Sequence, residues 1–109
     1  MPVDVLSRLA GPVNAASGDT TIYTPLERHQ GWLRSVKVVN NTTAKITIKV
    51  GINATSDDSL IFPAIPVPAK GMVNQETFDV LEDSDSLIVN ASATGTTVTV
   101  MGFDRYPHL

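Results

Sequence analysis

Leu26-Glu27-Arg28-His29-Gln30-Gly31 holds the first of two histidines in a chain of 109 residues. Histidine is the side chain best suited to moving protons near neutral pH. To act as a general base, His29 needs a nucleophile and an orienting partner brought to it by the fold. Beside Glu27 and Arg28 in turn-forming sequence, it reads first as a solvated loop residue. His108 is penultimate, where chain ends are loose unless docked. Two histidines on loops do not supply the ligands that a histidine metal centre takes from adjoining strands. The acidic run Glu82-Asp83-Ser84-Asp85 has the D-x-D spacing that opens a calcium loop. Counted from Asp83, the places that need glycine and glutamate hold Ile88 and Thr94, so a solvated turn is expected. Asp57-Asp58 reads the same way. Asn-x-Ser/Thr triplets begin at Asn40, Asn41, Asn53 and Asn90. They would matter only in a secretory chain, and no basic segment followed by an apolar one opens this sequence. Phosphate-cradling glycine loops, nucleophile elbows and paired catalytic carboxylates are missing from the sequence. The expectation is a non-enzymatic protein with no catalytic residue, cofactor or metal.

The segments that must position any site are plain in pattern. In Ala44–Ile52, Ile46, Ile48, Val50 and Ile52 share one parity, with Lys45, Thr47, Lys49 and Gly51 on the other. Such alternation puts four apolar side chains on one face of a strand and a polar row on the other. The apolar row should meet Val36, Val38, Leu87, Val89, Val98 and Val100 in a core. Trp32 shares the parity of Val36 and Val38, which predicts a core residue or an interface anchor. Further strands are expected at residues 20–24, 32–40, 60–62, 72–81, 86–93 and 96–103, with Asn40–Thr43 as a hairpin connector. Turn signals at regular spacing predict an all-β fold. Its form is one β-sandwich or jelly-roll-like domain of about seven to eight antiparallel strands. Residues 1–18 are read as an N-terminal arm, 19–104 as the sandwich and 105–109 as a C-terminal tail.

Bulk properties exclude several classes. A length of 109 residues suits one domain with a real core. Cysteine is absent, which rules out disulfides and thiolate metal sites. The net charge is −3 and the eight Lys and Arg are scattered, which argues against direct nucleic-acid binding. No apolar run is long enough to span a bilayer as a helix, and no membrane partner is expected. The stretch LIFPAIPVP, 60–68, is more apolar than an edge requires, and its prolines forbid a central strand. That predicts a homo-oligomer with Phe62 and Ile65 at its contacts. The arm carries Val3, Val5, Leu6 and Leu9, and the tail ends in Tyr106 and Leu109, so both ends are candidate docking segments.

The order of segments TTIYTP, WLRSVKVVNNTTAKITIKVGI, LIFPAIPVPAKGMV and FDVLEDSDSLIVNASATGTTVTVMGFD resembles a family of small β-sandwich proteins of tailed-bacteriophage virions. In that family a strand ending "tlYt" leads into "v-S-i-x-v-x-N-t", then an "i-p-a-g" turn, then "v-L-x-x-g-D-s-l-x-v-x-a-s". Thr21–Thr24, Ser35–Asn41, Val67–Gly71 and Val80–Ser92 hold those places, and the likeness spans residues 19–103. The chain departs from the family at Pro25–Gly31, a longer charged loop. The resemblance implies an enzymatically inert head decoration or cement protein, or a neck or tail component. Such a protein is made in the host bacterial cytoplasm and resident in the virion. Its implied partners are its own copies, as a trimer, and the major capsid protein or other virion proteins. Two other classes compete. A carbohydrate-binding module would present aromatics, of which there are only six, and a cupin-type enzyme would need a cluster of histidines.

Overall fold

The computed structural model describes residues 7–105, which form eight strands in two antiparallel four-stranded sheets. The strands are β1 (Ser7–Ala15), β2 (Gly18–Tyr23), β3 (Gln30–Asn40), β4 (Ile46–Ile52), β5 (Ile65–Val67), β6 (Met72–Leu81), β7 (Leu87–Ala91) and β8 (Thr96–Arg105). The first sheet runs β1-β8-β3-β6 and the second β2-β7-β4-β5. Strands 1 and 8, 2 and 7, 3 and 6, and 4 and 5 are partners, so the chain is a ribbon doubled back on itself and rolled into two layers. That order is an eight-stranded jelly roll. The helical structure among the described residues is one 3-10 turn, Asp57–Ser59, and no helix is long and apolar enough to cross a membrane.

Alternation in the sequence builds the core. Ile46, Ile48 and Val50 from β4 and Leu87, Val89 and Ala91 from β7 are buried against Leu33, Val36, Val38, Val98 and Val100 of the opposite sheet. Ile52 closes one margin, half-buried. The proline-bearing β5 lies at an edge, where Pro66 faces Thr47 and needs no ladder donor on its outer side.

Three local expectations are corrected. Residues 7–15, read as part of an arm, are an edge strand of the first sheet that pairs with β8 and buries Ala15. The alternation there is interrupted by two register shifts, one of which spans Gly11 and Pro12. Asn40–Thr43 does not close a hairpin, because β3 and β4 lie in different sheets and the connector crosses between layers. Trp32 is not in the core. The pairing steps from Leu33 with Asp79 and Gly102 to Ser35 with Glu76 and Met101, a bulge that inverts parity. Leu33 therefore points in and Trp32 out.

Candidate functional site

The bulge in β3 assembles a surface that parity alone would have dispersed. Outside the first sheet, Trp32 lies between Val80 of β6 and Phe103 of β8 as cross-strand neighbours. The outward row of β6 continues through Phe78, 78% exposed, to Met72, 58% exposed. Large apolar residues exposed together on one face are unusual in a lone soluble domain. Arg34, the residue at the bulge, places its guanidinium carbon 4.8 Å from the Phe78 ring centroid and 5.9 Å from that of Phe103. Arg105 stands 5.3 Å over the Trp32 ring, whose indole N–H donates to Gln30 Oε1 at 3.2 Å. Over Phe78, stacking holds the Arg34 guanidinium plane flat while leaving its N–H edge available. Arg34 makes no ion pair or hydrogen bond among the described residues. It borders a shallow depression of about 200 Å³ with Ser35, Asn74, Glu76 and Phe78. Chemically the face offers an apolar ground with oriented cations, suited to non-covalent capture.

A second concavity, about 470 Å³, opens between the sheets and is lined by Leu9, Ile22, Tyr23, Leu26 and Asp104 among others. His29 stands at Asp104, with Nδ1 2.8 Å from Oδ1, so it is not the unattached turn residue its sequence suggested. Asp104 comes from the end of β8, 75 positions away, a pairing no local pattern announces. Burial, with the Asp104 charge as the smaller influence, pushes the Tyr23 phenol up to about 12. The Tyr23 ring lies against Gly31, where a Cβ would come within 2.5 Å of it. The carboxylate orients the imidazole, which is the positioning half of a general base.

The acidic turns are structural. Asp85 accepts the Glu82 N–H and an Asn53 Nδ2 hydrogen, while Asp83 accepts the Arg28 N–H. Asp19 is held below its usual range by hydrogen bonds from Asn90 first and Thr55 second. No group of three or more His, Cys, Asp or Glu is placed to hold a metal among the described residues.

Of the expected contact residues, Leu9, Phe62 and Ile65 are half-buried and pack against the chain's own core. Val3, Val5, Leu6, Tyr106 and Leu109 lie outside the described residues. The sequence reading missed the Arg34–Phe78–Phe103 stack. Phe78 shares parity with Met72 and Val80, a signal it could have used, but the bulge that brings Arg34 between two rings is invisible without the partner strands.

Comparison with protein-family models, with curated proteins and with solved structures found no match for the chain.

Proposed function

We propose that this protein is a non-enzymatic structural component of a tailed-phage virion, a capsid decoration or cement protein used in many copies. The observation that carries the assembly part of this reading is the exposed face of Trp32, Phe78, Val80 and Met72 set with Arg34. Aromatics and Arg are the residue types that dominate binding energy at protein interfaces, and they are placed here on a rigid sheet rather than a loop. The phage part rests on the sequence resemblance over residues 19–103. The jelly roll is compatible with it, as it is with lectins and cupins, and fold alone does not choose among them. A neck or tail position is the same reading at another place in the particle.

A carbohydrate module is the alternative reading: Phe78 is open enough to stack on a sugar, while guanidinium groups stand over one side of Phe103 and Trp32. The test is to purify particles from the lysed host that carries the gene and to count this chain against the shell protein by quantitative mass spectrometry. The reading expects a fixed stoichiometry of many copies per particle. Particles that lack the chain would overturn it, and specific retention on a glycan array would favour the alternative.

A further inference from the structure

Each sheet ends in two edge strands, and three of these four edges are blunted. β1 carries Gly11 and Pro12 within a register shift. β2 is six residues long and shifts register between Thr21 and Tyr23, and β5 is three residues with Pro66 at its centre. β6 is the exception. It runs ten residues, Met72–Leu81, with unbroken alternation and no proline, glycine or lysine. No strand pairs with its outer side among the described residues. Its outward row sets Met72, Phe78 and Val80, all exposed, along that edge. A long unpaired edge with apolar side chains is a template for a further strand.

The strand that fits this edge is its own copy. Antiparallel about a two-fold axis at Thr77, β6 sets Glu76 opposite Phe78 of the second copy and Gln75 opposite Asp79, each twice by symmetry. Arg34 stands 4.8 Å from the Phe78 centroid, so the Glu76 carboxylate of the second copy arrives at the available N–H edge of its guanidinium. Within one chain Arg34 and Glu76 border the same depression of about 200 Å³ and form no ion pair. Across the axis each meets its counterpart. Gln75 and Asp79 match in the same way, as amide donor and carboxylate. The two Phe78 rings become diagonal neighbours, about 7–8 Å apart and within reach of each other. A shift of two residues one way sets Glu76 against its own copy, and the other way against Val80, so charge selects this register.

We infer that β6 pairs antiparallel with β6 of a second copy of this chain, joining two four-stranded sheets into one, with reciprocal Arg34–Glu76 contacts across the axis. The contact is isologous and closes at two copies, where the family likeness implies three. It goes beyond the virion reading and does not depend on it.

The experiment measures the mass of the full chain by sedimentation equilibrium as concentration is raised, with amide hydrogen exchange followed at both ends of the range. Wild type should reach the mass of two chains and no more, with exchange in Met72–Leu81 slowing as the dimer fills. Arg34→Glu and Glu76→Arg should each weaken association about 30-fold or more, the usual loss for one member of a desolvated charge pair. Mixed in equal amounts, the two variants should associate again, because together they place opposite charges at both contacts. An ion pair within one chain would not respond to mixing. Melting curves of each variant establish that it is folded. Arg34→Gln or Glu76→Gln replaces one that is not, and the same loss is expected, with recovery on mixing at one of the two contacts. A wild type monomeric at every concentration or a mass that climbs past two chains would overturn the inference. So would a dimer whose β6 amides exchange as fast as the monomer's, or a mixture that stays monomeric. A monomeric chain found in many copies on particles would overturn this inference alone, and a dimer missing from particles the virion reading alone.

Discussion

Asn40 occupies every hydrogen-bonding position of its amide at the place where the chain crosses between sheets. Its Nδ2 donates to the carbonyls of Ala44 and Val67, at 2.8 and 3.1 Å, and its Oδ1 accepts from the N–H and hydroxyl of Thr42. The residue is fully buried, so Asn40→Ala would strand several polar groups at once and should cost about 3 kcal/mol in denaturant unfolding. Thr96 is its cross-strand neighbour and offers the opposite case, since its buried hydroxyl has no hydrogen-bond partner among the described residues. Thr96→Val should raise stability by about 1 kcal/mol. Equal effects of the two substitutions would contradict this account of polar satisfaction. Tyr23 gives a pH signature. Its phenol is raised from 10.0 to about 12, so folded and unfolded chains are both protonated below pH 10. Between 10 and 12 only the unfolded chain ionises, and stability falls as pH rises until the folded pKa is passed. Tyr23→Phe should flatten that part of the alkaline decline, and unfolding free energies of the two proteins measured across the window test it. The sequence announced Asn40 only as turn chemistry and Tyr23 only as a strand residue, because both roles depend on partners distant in the chain.

Strands were legible where two faces differ. Ile46, Ile48 and Val50 alternate cleanly against polar neighbours and are buried as the pattern requires. The strands lost to a one-dimensional reading are those whose pattern is offset by a bulge. Leu33 and Trp32 exchange sides because one strand gains a residue on another, and a period-two pattern carries no mark of that. In β1 the alternation is broken twice, so a paired edge strand looks like an arm. The correction changes what truncation should do. Deleting residues 1–14 removes most of β1, uncovers the ladder of β8 and opens the core beside Ala15. A detachable arm would leave the melting temperature nearly unchanged; an edge strand should lower it by several degrees, about what a loss of 1–2 kcal/mol produces in a domain of this size. Differential scanning calorimetry of the truncated chain decides between them.

In the whole molecule, β1, β3, β6 and β8 form one layer and β2, β4, β5 and β7 the other. Neither layer is a continuous stretch of sequence, and apart from the β4–β5 pair every step along the chain changes sheet. The apolar rows of β4 and β7 are covered only when β3 and β8 are in place, and the reverse holds equally. Folding one sheet first would expose its whole inner face without a counterpart, so the two layers should gain and lose stability together. Pairing of β1 with β8 spans nearly the full length of the chain, and such distant pairings slow folding because loop closure must precede the contact energy. Far-ultraviolet dichroism reports both sheets, whereas Trp32 fluorescence reports only the first, since Trp32 sits on its outer face. The two probes should give one coincident unfolding transition. Refolding on dilution should be slow, in the range of about milliseconds to seconds typical of β-sandwiches. If Trp32 reported a transition well separated from dichroism, the sheets would have independent stability, which a core shared between interleaved layers does not permit.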